Sequence, residues 1–330
     1  MPNSQTVQEV SAFWSSEACG THFVREYRDE CEFYEKFREQ RYRTEWHIPL
    51  LVPFADAADK KVLEIGTGNG ADGAMFALNG ADYTGVDLTD TALEATRRHF
   101  EVLKLKGSFR CENAESLSFL AQSFDWVYSH GVLHHTPNTQ RAIDEVWRVL
   151  KSGGRATVML YHKASFNYVV RIMTYMRARV LLKILSRAGR WKIDRRLTRN
   201  QPAAGLRGNQ DPQIWDVHYW NFLREGWSYL RARNFVHRCT DGPECPIAFA
   251  FSRKEAARLF SRFSGVQMKV AHFPLKRYSL GKWIPFALEK WLAPKIGWYL
   301  FIDARKPASV TRASGGKDSA GSKVETADCI

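Results

Sequence analysis

Apolar positions change spacing several times along the chain, and each change predicts an element. Val7–His47 sets aromatics (Phe13, Trp14, Phe23, Tyr27, Phe33, Tyr34, Phe37, Tyr42, Trp46) among many charges before Pro49, which predicts a helical segment. Short apolar runs then alternate with helical spacing. Strands are predicted at 61–65, 81–86, 108–112, 124–129 and 154–161, and helices at about 72–79, 91–104 and 139–150. Such alternation predicts a parallel sheet covered on both faces. The pattern breaks after 162. Ala164–Arg190 carries an apolar stripe (Phe166, Val169, Val170, Met173, Met176, Val180, Ile184) at helical spacing, with Arg171, Arg179, Lys183 and Arg190 opposite. A Gly/Pro/Asn-rich connection at 201–212 and an aromatic segment at 215–235 follow. Ser252-Arg253-Lys254-Glu255 then has capping-box spacing before a helix, and Val266–Phe273 and Trp298–Ile302 are the last predicted strands.

Chemistry enters at Leu63-Glu64-Ile65-Gly66-Thr67-Gly68-Asn69-Gly70, where a buried strand breaks into glycines and opens a helix. Glycines there let backbone N–H groups approach an anionic or polar ligand. Asp87 ends the next strand, where a carboxylate can accept both hydroxyls of a ribose. These features point to a nucleoside cofactor without choosing one. Gly66-x-Gly68-x-x-Ala71 also fits a dinucleotide fingerprint, so a nicotinamide-dependent oxidoreductase is an alternative at this stage.

The second half of the sheet narrows the choice. Phe124–Ser129 runs into His130-Gly131-Val132-Leu133-His134-His135, and a helix, Lys151-Ser152-Gly153-Gly154 and another strand follow. Together with L-E-I-G-T-G-N-G, this order resembles the class I S-adenosylmethionine-dependent methyltransferases, nearest to the small-molecule, quinone-methylase-like (type 11) branch. The resemblance is specific over about residues 61–162 and weaker through 252–304. It implies an α/β fold, a Rossmann-like, doubly wound, seven-stranded and mostly parallel sheet whose last strand is antiparallel, with N-terminal helices and a helical insert. The expected organisation is an N-terminal helical cover (1–50), a cofactor-binding core (51–162), a basic lid or substrate insert (163–250), the rest of the core (251–305) and a disordered tail (306–330).

By the same resemblance, Glu64 attracts the ammonium side of S-adenosylmethionine, and Gly66, Gly68 and Gly70 admit it to the backbone. Thr67 bonds its amino-acid end, Asp87 holds the ribose, Leu88 packs on adenine, and His130 belongs to the cofactor wall. The family often has an aspartate where this chain has Asn113-Ala114-Glu115. Either the Asn113 carbonyl accepts the adenine amino group, or Asn113 caps a turn and the Ala114 backbone does the reading. His134, His135, Tyr161 and His162, at the open ends of the fourth and fifth strands, are candidates for proton removal and substrate alignment. Asp241, in a tight polar loop, is a possible pocket residue. His130 and His134 are four apart, but Gly131 and the strand-to-loop setting argue against a helix, and no metal is expected.

Composition adds a location for charge. The net charge is +13, and residues 163–210 hold twelve Lys or Arg against one acid, Asp194. The insert is read as a solvated lid, as an interfacial helix drawing a lipid-like acceptor from an anionic membrane, or as a phosphate-binding element of an RNA methylase. Ser129-His130-Gly131-Val132 lacks the [DN]-P-P-[YFW] pattern of amino-group nucleic-acid methylases, so nucleic acid is the weaker reading. No apolar run reaches bilayer length, and Met1–Val10 has no signal-peptide pattern, so the expectation is cytoplasmic residence with possible peripheral membrane contact. Six cysteines without C-x-x-C spacing are expected to be reduced. The expected function is methyl transfer from S-adenosylmethionine to a small or lipid-like acceptor; a protein that binds this cofactor without catalysis is the non-enzyme alternative.

Overall fold

Apolar residues on both sides of each central strand decide the architecture, because a strand buried on both faces needs helices above and below it. The computed structural model describes residues 4–15, 24, 26–191, 194, 214–275, 281 and 283–308. Its strands are β1 (Lys61–Ile65), β2 (Asp82–Asp87), β3 (Ser108–Cys111), β4 (Phe124–His130), β5 (Leu150–His162), β6 (Ala250–Phe251), β7 (Ser264–Ala271) and β8 (Tyr299–Arg305). They form one sheet in the order β3-β2-β1-β4-β5-β8-β7. β1 to β5 pair in parallel, and β8 runs antiparallel to both β5 and β7. An eighth strand adds to the expected seven: Ala250 and Phe251 pair with Tyr161 and His162 at the end of β5.

Alternation along β1 splits its side chains between two cores. Val62 joins Tyr83, Trp126 and Tyr128 on one face; Leu63 and Ile65 join Val127 and Val158 on the other. The first face is covered by Phe54, Phe76 and Phe100, and the second by Ile143, Val146 and Phe260. Helix starts follow local capping. Asp29, Thr89 and Asn138 each accept a backbone N–H of the first turn, and Ser252 and Glu255 form a reciprocal capping box. Strand order reverses between β1 and β4, which opens a crevice at their carboxyl ends.

Three expectations change. The N-terminal segment is two helices, Ser4–Trp14 and Glu30–Thr44, rather than one stretch. In the insert, Asn167–Met176 is π-helical before the α-helix Arg177–Ser186. The wider π turn shifts the stripe's phase. Ile172, Met176, Val180 and Ile184 are buried, whereas Val169 and Val170 are exposed. Lys306 belongs to the core rather than to a tail. Its ammonium donates to the carbonyls of Trp147 and Leu150, at 2.8 and 2.7 Å, at the end of helix Thr139–Val149. Residues 309–330 lie outside the described residues, as do Lys192, Arg195, Arg196, Arg199 and Arg207 of the basic insert.

Candidate active site

The crevice beside β1 and β4 contains a cavity walled by Glu64, Gly66, Thr67, Gly68, Asp87, Leu88, Asn113, Ala114, His130 and His135, all singled out in the sequence. Gly66 has φ +85°, and a Cβ there would stand 2.0 Å from Val132 Cγ2, so no other residue fits without moving the loop. Thr67 is buried, and its Oγ1 has no hydrogen-bond partner among the described residues. Asp87 is held at the strand end: Thr89 donates its N–H and its hydroxyl to Oδ1, each at 3.0 Å, and Gly68 N–H lies 3.4 Å from Oδ2. Asn113 Oδ1 accepts the Glu115 N–H at 2.9 Å, the turn-capping arrangement that leaves the neighbouring Ala114 backbone on the cavity wall.

Glu64 is buried and accepts the Tyr83 hydroxyl. Burial, followed by the nearby negative charge of Asp72, holds its carboxyl well above the usual carboxylate range. That shift makes the Glu64 carboxyl harder to ionise than an ordinary glutamate. Burial would also raise Asp72, but Arg41 outweighs it and keeps that carboxyl below its ordinary value. Arg41 donates Nε to Oδ1 and Nη2 to Oδ2, at 3.0 and 2.5 Å, while Tyr42 and Tyr128 donate their hydroxyls to the same carboxylate at 3.0 and 2.9 Å. Arg41 comes from helix Glu30–Thr44, so this buried fork ties the N-terminal segment to the cavity floor. Val7, Val10 and Trp14 of the first helix complete the wall. The sequence reading missed Arg41 and Asp72. The usable signal was a charge two residues after Gly70 in a helix start that is otherwise buried.

Gly70 is not on the cavity wall. Its glycine requirement comes from packing, since a Cβ would meet Thr96 Cγ2 at 2.7 Å at φ +73°. His134, Tyr161 and His162 also lie outside the wall. His134 is fully buried, its ring centroid 3.8 Å from that of Tyr161, and burial drives its pKa well below that of a free histidine. His162 is buried with Nδ1 3.3 Å from the Gly297 carbonyl, in the seam between β5 and β8. Tyr161 donates its hydroxyl to the Asp241 carboxylate at 3.2 Å.

His135 is placed differently, for it reaches the cavity. Its Nδ1 lies 2.8 Å from the Ile247 carbonyl, a bond only an N–H can make, so in the neutral ring Nε2 carries the lone pair. That Nε2 is buried, has no hydrogen-bond partner among the described residues, and lies 3.6 Å from Asp241 Oδ2. The Trp14 ring stands edge-on to the imidazole at 5.2 Å. Cys245 also approaches, so His135, Asp241 and Cys245 bring potential ligand atoms within 4.8 Å of one another. Burial, then Asp241, pushes the Cys245 thiol up, and it donates to the Ile247 carbonyl at 3.4 Å as a neutral S–H. His130 also lines the cavity, with Nδ1 3.4 Å from Arg41 Nη2 and Nε2 3.9 Å from Glu45 Oε2.

Comparison with known proteins bears on this arrangement. Residues 63–158 match the family model described as a methyltransferase domain. That range is a methyltransferase domain. The chain is 29% identical over 126 residues to the ubiquinone biosynthesis O-methyltransferase of Coxiella burnetii, a match covering 38% of this chain and 53% of that protein. The protein of the same name from Pseudomonas putida is 30% identical over 156 residues, covering 46% of this chain and 66% of the relative. The chain thus spans about half the length of the Coxiella relative it matches. The fold of the chain is similar to that of the geranyl diphosphate C-methyltransferase of Streptomyces coelicolor A3(2), at TM-score 0.50 and 14% identity, covering 92% of this chain and 99% of that one.

Proposed function

We propose that this chain transfers the methyl group of S-adenosylmethionine to a small or lipid-like acceptor. One observation carries the reading: a single cavity is lined by Glu64, Thr67 and Asp87 and also by His135, whose buried Nε2 has no hydrogen-bond partner among the described residues. The residues fit the cofactor. The unpartnered Thr67 Oγ1 and the Glu64 carboxyl suit a zwitterionic amino-acid end, Asp87 suits ribose hydroxyls, and Leu88 with the Ala114 backbone suits adenine. When bound, the cofactor supplies an electrophilic methyl carbon on a sulfonium. His135 Nε2 takes the proton that an acceptor hydroxyl must lose, with Asp241 beside it to stabilise the imidazolium. Trp14, Val7 and Val10 exclude water and offer apolar surface to the acceptor. His134, Tyr161 and His162 act as support, with Tyr161 orienting Asp241. Lipid-like acceptors also suit a cytoplasmic protein in peripheral contact with an anionic membrane.

The test is titration of the purified chain with S-adenosylmethionine, S-adenosylhomocysteine and NAD, followed by methyl incorporation into a panel of phenolic and lipid-like acceptors. Binding of the two sulfur nucleosides and methylation of a hydroxyl acceptor are expected. Tight NAD binding without them would overturn the proposal.

A further inference from the structure

Helix Phe286–Ile296 has an outer surface of unusual composition. Its only acid, Glu289, is turned inward and 7% exposed, accepting the Trp46 indole N–H at 3.2 Å and the Leu275 N–H at 3.2 Å. What remains outside is aromatic, aliphatic and cationic. Phe286, Leu288 and Trp291 are exposed, and Trp283 just ahead of the helix is 89% exposed. Lys295 Nζ lies 3.2 Å from the Trp291 ring centroid, and Lys290 Nζ lies 4.9 Å from that of Phe286. Among the described residues from 281 to 296, no acid faces outward.

Two occupants would bury such a surface, and its chemistry separates them. Protein–protein interfaces favour Trp and Phe but are depleted in Lys. Tryptophan together with lysine is the pattern of a bilayer interface, where indoles sit at head-group level and ammonium groups meet anionic lipids. The net charge of +13 adds long-range attraction to an anionic surface. The basic insert suits the role less well. Lys183 is paired with Asp216 at 2.7 Å, and Arg187 lies 3.7 Å from both Asp194 and Asp216. Among the described residues, no helix is long and apolar enough to cross a membrane, so contact here means lying on the surface.

We propose that helix 286–296 with Trp283 is the element that docks this protein on an anionic lipid bilayer, Trp283 and Trp291 seating among the head groups and Lys290 and Lys295 contacting their phosphates. Docking is separable from methyl transfer, because vesicle binding needs neither cofactor nor turnover. Trp46, which holds Glu289, follows Glu45 of the His130 cluster, so the docked face is one side chain removed from the cavity's surroundings.

The test is co-sedimentation of the full chain with vesicles of phosphatidylcholine alone or mixed with phosphatidylglycerol. Binding to the mixed vesicles only, weakening with salt, is expected. Lys290→Gln with Lys295→Gln should lower the partition coefficient about thirtyfold. Trp283→Ala with Trp291→Ala should abolish binding while circular dichroism stays unchanged. Leu182→Ser with Leu185→Ser, in the insert helix, should leave binding intact. Equal binding to neutral vesicles, no binding to anionic ones, or loss only in the insert variant would overturn the proposal. So would a vesicle-free dimer dissolved by the tryptophan variant, which would give the surface to a second copy of the chain.

Discussion

His135 Nε2 faces Asp241 Oδ2 at 3.6 Å, although they are far apart in the chain. The loop after β4 supplies the imidazole, and a turn near the end of the insert supplies the carboxylate. If this pair removes the acceptor's proton, His135→Gln should lower kcat by about 10²–10⁴-fold with little change in cofactor affinity. Asp241→Asn keeps an oxygen for the Tyr161 hydroxyl and should cost less. Steady-state kinetics of both variants checks this: an unchanged kcat in His135→Gln would assign the proton to another group.

Glu64 offers a proton-linkage experiment. Its carboxyl is raised in the free protein, by burial first and Asp72 second. A cationic ligand favours the ionised form, so binding should expel a proton and affinity should rise with pH until the raised pKa is passed. Calorimetry in buffers of different ionisation enthalpy reads that proton directly. Glu64→Gln should remove the linkage and weaken binding by about ten- to a hundredfold, the worth of a hydrogen bond to a charged group. Binding without proton release would refute the assigned contact.

The sheet was legible because its central strands are buried on both faces and therefore appear as apolar runs such as Trp126-Val127-Tyr128, with glycines marking where the chain turns. The glycine loop and Asp87 were legible for the same local reason. Side-chain direction was not. Tyr161 and His162 are adjacent on β5 and point to opposite faces, so proximity to the open end in sequence did not put either on the cavity wall. Arg41 was hidden because a helix rich in charges does not say which one meets an acid 31 residues away. The phase of the insert stripe was lost to a π turn that the residue spacing does not announce.

Gly66 makes a steric prediction. Any side chain would drive into Val132 and require φ near +85°. Gly66→Ala should therefore reduce cofactor affinity by displacing the loop, and adding Val132→Ala should restore only part of it, because the backbone strain stays. Full restoration would show that the clash alone mattered.

The Arg41–Asp72 fork should dominate the attachment of the N-terminal helices. Asp72 is withdrawn from water and Arg41 is partly exposed, so removing Arg41 leaves a buried carboxylate without its cation, at up to about 3–5 kcal/mol. Arg41→Met should lower the urea midpoint and expose helix 30–44 to proteolysis. Arg41→Met with Asp72→Leu should recover much of the loss, a coupling that a pair without interaction cannot give. Additive effects in the double variant would overturn the assignment.

Buried histidines set the acid limit. Burial holds His47 and His237 down to about 3 and His99 and His218 down to about 4, whereas an unfolded chain titrates its histidines near 6.5. Below that value the unfolded state binds protons the native state refuses. Stability is thus fully present above about pH 6.5 and falls as pH drops toward 4, by about 1.4 kcal/mol per unit for each histidine. Glu64, Asp87 and Glu244, with their raised carboxyls, act in the opposite direction, while His130, His134 and His162 are held down as well. Urea midpoints between pH 8 and pH 4.5 should be flat at the upper end and fall steeply below about 6. His99→Gln should lessen the slope by close to one proton, since His99 is fully buried with Nδ1 2.8 Å from the Asn69 carbonyl. A midpoint unchanged from pH 7 to pH 5 would mean that these imidazoles are charged in the native state.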